Sequence, residues 1–122
     1  MARLGGGTVA GWDPVVFAGL GPAGEIVGTA TGAEFDAEPG VGHLYAMWVA
    51  PDARGAGVGR ELFDAVARWA RAWGCERLVL RVTETNERAR HFYAACGFAE
   101  TGVRESLREG SEHDVLVLSN PL

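Results

Sequence analysis

The chain has 122 residues, 48% of them apolar and 22% charged, with 18 glycines and a formal net charge of −5. That length supports one domain around one modest core. The glycines follow no three-residue period, which excludes collagen, and every apolar run is too short for a transmembrane helix. All 11 basic residues are Arg, so neither Schiff-base chemistry through Lys nor a Walker A phosphate loop is open to it. A net acidic surface disfavours extended nucleic-acid binding and mildly favours a cationic small substrate. Cys75 and Cys96 are too few for a disulfide scaffold and read as reduced, buried residues of a cytoplasmic protein. No secretory signal follows Met1.

Residues 1–13 carry a glycine cluster and no amphipathic pattern, so they read as weakly structured. Pro14 to Gly19 and Glu25 to Phe35 form the two strands of a hairpin around Gly21, Pro22, Ala23 and Gly24. After a turn from Asp36 to Gly42, His43 to Val49 (HLYAMWV) is the best strand signal of the first half. A helix follows from about Gly57 to Trp73, with Val58, Leu62, Phe63, Val66, Trp69, Ala70 and Trp73 on its apolar stripe. Trp69 and Trp73 therefore read as core, and Gly74 as the residue that closes the helix. Arg77 to Thr83 is a compact strand, and a shorter helix runs from about Asn86 to Ala95, stopped by Gly97. Phe98 to Thr101 starts another strand. The charged run from Arg104 to Glu112 reads as a wet turn, and Val115 to Leu118 is the last strand. The order β-β-β-α-β-α-β-β predicts an α/β (α+β) fold, a mixed sheet with helices on its faces, in a single domain.

Chemistry concentrates in Met47 to Gly59 (MWVAPDARGAGVG). A strand ends at Pro51, a Gly-rich loop follows, and a helix starts inside the loop. Gly55, Gly57 and Gly59 let a ligand approach the backbone closely. The unpaired N–H groups from Gly57 to Arg60 suit an anion such as a diphosphate, with Arg54 and Arg60 adding charge. The plainer alternative is three glycines kept for packing. No acidic residue ends the next strand, which excludes a Rossmann fingerprint. His91 and His113 have no Cys or acidic residue at metal-ligand spacing, so no metal site is expected. Cys96, beside Gly97, reads as a small core residue rather than a nucleophile.

The run R-G-A-G-V-G, following the strand LYAMWVAP, resembles the acyl-CoA pyrophosphate loop of the GCN5-related N-acetyltransferase (GNAT) family. N-E-R-A-R-H-F-Y-A-A-C-G-F, from Asn86 to Phe98, resembles the same family's later CoA-binding helix. The resemblance covers roughly Pro14 to Leu118. It implies a splayed sheet that admits a pantetheine arm between the strands His43–Val49 and Arg77–Thr83, with Met47, Trp48 and Val49 pairing with the pantetheine amides. It further implies that Arg54, Gly55, Ala56, Gly57, Val58, Gly59 and the Arg60 N–H hold the diphosphate. Asn86 matches the family's side-chain contact to the pantetheine region, Arg88, Ala89 and Phe92 would line the CoA wall, and Tyr93 would protonate the departing thiolate.

The implied activity is direct transfer of an acetyl group from acetyl-CoA, as cosubstrate, to a primary amine of a small molecule or a peptide N-terminus. A backbone N–H near Met47 or Trp48 would stabilise the oxyanion, and no metal is required. For the general base the residues leave two candidates open. His43 has a suitable intrinsic pKa and shares a strand face with Tyr45, while Glu34 on the preceding strand could support or replace it. His43 could equally be exposed, since it opens its strand after a turn. His113 and Asp114 are candidates to border the acceptor site. The alternative reading is a non-catalytic acyl-CoA-binding or regulatory module.

One departure from the family stands at the start: the strand and helices expected before the hairpin are missing, so residues 1–13 read as flexible or a remnant. The strand PVVFAG would then be an open edge, which favours a homodimer.

Overall fold

The computed structural model describes residues 2–6, 12–35, 38–106, 109–110 and 113–122, with side chains from residue 14 onward. Seven strands form one sheet: β1 (Ala2–Gly6), β2 (Trp12–Leu20), β3 (Ile26–Phe35), β4 (Val41–Val49), β5 (Arg77–Thr83), β6 (Ala99–Ser106) and β7 (Asp114–Pro121). Their spatial order is β1-β2-β3-β4-β5-β7-β6. Every neighbouring pair is antiparallel except β4 and β5, which run parallel. Two α-helices, α1 (Val58–Ala72) and α2 (Glu87–Ala95), connect β4 to β5 and β5 to β6.

The first strand corrects the sequence expectation. Ala2–Gly6 is a strand rather than a weakly structured segment; its backbone pairs with Val15 to Ala18 of β2. An edge strand needs only one ladder of backbone bonds, so a segment without β-forming side chains can supply it, and no periodicity betrays it. With that edge of β2 covered, the argument for a homodimer through an open PVVFAG strand lapses. Residues 7–11 of the weakly patterned start lie outside the described residues, as do 36–37 of the expected turn and 107–108 and 111–112 of the charged run.

The charged run is also corrected. Arg104, Glu105 and Ser106 belong to β6, an edge strand whose residues are all exposed. Charge on such a strand is compatible with pairing and blunts its free edge.

Both helices share one face of the sheet. Leu62, Phe63, Val66 and Ala70 of α1, Leu78, Leu80 and Val82 of β5, and Leu116 and Leu118 of β7 form one buried cluster, against which Ala89, Phe92 and Tyr93 of α2 pack. The opposite face carries a smaller cluster of Val41, Val79 and Val117. Both helices end in the same motif. Gly74 and Gly97 take positive φ, and the next residues, Cys75 and Phe98, donate back to Ala70 and Tyr93, closing each last turn.

Of the two tryptophans expected in the core, only Trp69 packs there. A β-carbon on Gly32 would stand 2.8 Å from its ring, so Gly32 is the socket. Trp73 stacks on Trp69 at 6.3 Å but stays 52% exposed. It lies at the cap of α1, beyond the last fully helical turn.

Candidate functional site

β4 and β5 pair only where Val41 to His43 meet Arg77 to Val79. Beyond that point the strands diverge. β4 also contains a bulge: Thr29 and Thr31 of β3 face Trp48 and Tyr45, so β4 spends one extra residue between them. Ala46 takes φ +46°, the only positive φ outside glycine among the described residues. Strain of this kind persists where the surrounding structure imposes it. Ala46 and Met47 have no register partner on either neighbouring strand, and both border the opening.

Two voids occupy this divergence. The first, about 530 Å³, runs from the glycine loop along α2 and is lined by Met47, Val49, Ala53, Arg54, Gly55, Gly57, Gly59, Arg60, Asn86, Arg88, Ala89, Phe92 and Tyr93. The second, about 320 Å³, continues between the strands past Tyr45, Ala46, Leu80, Arg81 and Thr83. They share Met47, Asn86, Ala89 and Tyr93, and so form one continuous cleft.

At the loop, Pro51–Ala53 forms a single 3₁₀ turn, and Arg54 donates through Nε to the Val49 carbonyl at 3.2 Å, folding the loop back on the end of β4. Gly55 and Gly57 have φ of +85° and +87°, values that L side chains resist. Gly57 caps α1 without any side-chain hydrogen bond, which leaves the first-turn N–H groups as donors to a ligand. The Arg60 guanidinium is already engaged, with Asp64 at 3.2 Å and over the Phe63 ring at 5.6 Å. Gly59 serves packing instead: it lies under Phe92, so that α1 and α2 approach closely. The loop thus uses its glycines in two ways.

Across the cleft, Asn86 caps α2 by accepting the Ala89 N–H at 3.2 Å through Oδ1, which leaves its amide N–H₂ as the group to offer a ligand. Tyr93 is half-buried against Phe92 and Phe98. Burial, and secondarily Cys96, push its phenol above the ordinary value, so it carries its proton throughout the neutral range. Ala56, Val58 and Trp48 fall outside the lining; Val58 packs on the core and Trp48 is 47% exposed.

Neither candidate base reaches the cleft wall. His43 is not exposed but 1% accessible, at the apex where the strands still pair. Its ring stacks on Tyr45 at 6.0 Å, as the shared face predicts, and meets the edge of Phe35 at 4.8 Å. Burial, the largest influence, lowers its pKa; Glu38, 3.7 Å away, opposes this, and Arg81 and Arg77 add to it. Among the described residues neither ring nitrogen has a hydrogen-bond partner. Glu34 lies on the α1 face, accepting from Gly40 N (3.0 Å), Trp73 Nε1 (3.2 Å) and Cys75 Sγ (3.4 Å). Its carboxylate fastens the end of α1 to the sheet. Burial and the Glu34 contact hold the Cys75 thiol up at about 11.

Asp114 is tied to Arg104 at 2.9 Å, and neither His113 nor Asp114 lines either void. Tyr45, Arg81 and Thr83 were missed as cleft residues; the two-residue alternation of β4 and β5 was the signal that could have found them. Among the described residues no group of three potential metal ligands occurs.

The acetyltransferase (GNAT) family profile matches residues 8–98. The chain belongs to this family. A mycothiol acetyltransferase of Propionibacterium freudenreichii subsp. shermanii is 40% identical over 94 residues, which is 72% of this chain and 29% of that protein. Across the curated GNAT relatives it resembles, the chain spans 19–45% of their lengths. Among solved structures, a nourseothricin acetyltransferase superposes with a TM-score of 0.78 at 29% identity, over 92% of this chain and 66% of that one. A structure from Bacillus anthracis str. Ames solved with acetyl coenzyme A shares the fold, with a TM-score of 0.80 at 20% identity over 89% of this chain and 62% of that one. The fold is therefore shared with both solved structures. No described helix is long and apolar enough to cross a membrane.

Proposed function

We propose that this chain is an N-acetyltransferase that binds acetyl-CoA in the β4–β5 cleft and acetylates a primary amine. The observation that carries the reading is the continuous cleft itself: the loop, Asn86, Arg88, Ala89, Phe92 and Tyr93 line one void that opens directly onto the strand divergence. The cofactor fits on the structure's own terms. Gly55 and Gly57 present open space where a β-carbon would stand, and the uncapped first turn of α1 offers several donors to a diphosphate.

When bound, acetyl-CoA supplies a thioester, and attack by a neutral amine forms the amide N–C bond as the C–S bond breaks. The chain's residues do the rest. The N–H groups of Ala46 and Met47, without register partners, are the donors for charge that develops on the carbonyl oxygen. Tyr93, held protonated by burial, donates to the departing sulfur and is reprotonated through water by the proton that the amine nitrogen sheds as the amide forms. Among the described residues no Asp, Glu or His lines either void; in this reading the acceptor ammonium loses its proton to water. A rival reading, a non-catalytic acyl-CoA-binding module, draws on that same lack of a base. A reducing, cytoplasmic compartment is part of this reading, and the two free, buried cysteines support it.

Calorimetric titration with acetyl-CoA, paired with amine-dependent thiol release, tests the reading. One-to-one binding that Gly57→Ala weakens, with thiol release upon adding amine, supports it. Binding without amine-dependent release favours the non-catalytic module, and a folded chain that binds no acetyl-CoA refutes both.

A further inference from the structure

We infer that Glu84 is a positioning residue: its carboxylate takes the place of its own backbone carbonyl at the end of β5, which turns the chain so that Asn86 stands in the cleft wall. The inference rests on the acetyl-CoA reading of the cleft and goes beyond it by naming what holds that wall in place.

Thr83 and Asn86 both line the space between the diverging strands, and Glu84 follows Thr83 directly in the chain. β5 ends at Thr83, opposite Val115 of β7. Continued by one residue, the same register sets Glu84 opposite Asp114. A hydrogen-bonded antiparallel pair exchanges both of its backbone N–H···O=C bonds. Here only one of them forms: the Glu84 N–H donates to the Asp114 carbonyl at 2.9 Å. The return bond runs from the Asp114 N–H to Glu84 Oε1 at 3.0 Å. The Glu84 carbonyl has turned away and accepts from Nη1 of Arg90, on α2, at 3.0 Å. Every backbone group at this step is therefore satisfied while the chain leaves the sheet. The Asn86 N–H then donates to the Thr83 carbonyl at 2.9 Å, closing the turn that delivers Asn86 to the head of α2.

The ion pairs at this corner are secondary. Glu84 also meets Arg104, which holds Asp114 at 2.9 Å. The three side chains are between 26% and 50% exposed, and pairs in such surroundings contribute little. The Asp114 N–H, ahead of the guanidinium, is the largest influence holding the Glu84 carboxyl below its ordinary pKa. What positions the turn is thus an accepting oxygen at residue 84 rather than its charge. Glu84→Gln keeps that oxygen, Glu84→Ala removes it, and Arg104→Met removes the ion pair alone.

The test is calorimetric titration with acetyl-CoA of the wild type, these three variants, Asn86→Ala and the double variant Glu84→Ala/Asn86→Ala, with melting temperatures recorded alongside. Glu84→Ala should weaken binding about three- to tenfold, the scale of one hydrogen bond. Glu84→Gln and Arg104→Met should bind as the wild type does. Because Glu84 acts through Asn86, Glu84→Ala should add no further loss in the Asn86→Ala background. A residue that merely stabilises the fold would lower the melting temperature without this dependence on Asn86. Should Glu84→Ala not fold, Arg90→Met frees the Glu84 carbonyl to rejoin the ladder and should weaken acetyl-CoA binding by the same route.

Unchanged affinity in Glu84→Ala, or in Arg90→Met where that variant stands in, overturns the inference. So does an equal loss in Glu84→Gln, a loss in Arg104→Met as large as in Glu84→Ala, or the full Glu84→Ala loss recurring without Asn86. Those outcomes leave acetyl-CoA binding by the wild type intact. Failure of the wild type to bind acetyl-CoA removes the underlying cleft reading, and this inference with it.

Discussion

Phe92 lies so close over Gly59 that a β-carbon on the glycine would stand 3.2 Å from Cζ of the ring. The helix that begins at the loop and the helix that carries Tyr93 are thereby set to a common spacing, and the cleft runs along their junction. Gly59→Val forces that junction apart. Overpacking of this kind costs about 1–3 kcal/mol, and the displaced α2 carries Tyr93 and Asn86 with it. Acetyl-CoA affinity should fall about tenfold or more by calorimetry, with melting temperature reduced. An unchanged affinity would show that α2 moves independently of the loop.

Gly57 answers to a different constraint. No atom lies within 4 Å of a β-carbon built there, yet φ is +87°. The penalty for any side chain is conformational, on the order of 1–2 kcal/mol, rather than steric. Gly57→Ala should therefore weaken acetyl-CoA binding nearly as much as Gly57→Val does. A graded loss with side-chain size would show that bulk against the ligand, not backbone geometry, controls the loop.

Asn86 separates two roles in one side chain. Its Oδ1 caps α2, the residue lines the cleft, and its amide N–H₂ is left as the donor to offer a ligand. Asn86→Asp keeps an accepting oxygen and removes the donor, whereas Asn86→Ala removes both. Loss of the cap costs about 1 kcal/mol, so Asn86→Ala should lower stability and Asn86→Asp should not. Both should weaken acetyl-CoA binding. If Asn86→Asp binds as well as wild type, the side chain is a cap alone.

Much of this architecture was legible from residues. The loop and α2 were found because glycines, a proline and helical spacing mark them, and β5 was read to its final residue from RLVLRVT. What stayed hidden was set by tertiary context. Ala2–Gly6 is a strand because β2 offers it a ladder, and Arg104–Ser106 because an edge tolerates charge. The sequence leaves His43 open between a general base and an exposed strand-opening residue, but two residues of extra pairing with β5 bury it. Glu34 could not be assigned from the sequence, since its partners Trp73 and Cys75 lie 39 and 41 residues away.

Those partners make Glu34 a fastening. Glu34→Gln keeps one acceptor and should retain acetyl transfer near the wild-type rate. Glu34→Ala strands three donors, two of them partly exposed, and should cost about 1–3 kcal/mol by denaturant unfolding. A large loss of kcat in Glu34→Gln without loss of stability would return the residue to the reaction.

His43 supplies the sharpest pH signature. Burial places its folded pKa below the ordinary 6.5. Below pH 6.5 the unfolded chain takes up a proton that the folded chain refuses, so stability falls as pH drops from 6.5 toward the folded value and levels off beneath it. The slope is at most about 1.4 kcal/mol per pH unit for one group. His43→Phe keeps a ring between Phe35 and Tyr45 and removes both unbonded nitrogens, and it should flatten this dependence between pH 6.5 and 5. Because His43 does not line the cleft, the same variant should acetylate at a rate within a few-fold of wild type. Its kcat/KM should keep rising with pH as the acceptor amine deprotonates. A kcat that collapses in His43→Phe while the fold persists would identify the imidazole as the base acting through Tyr45.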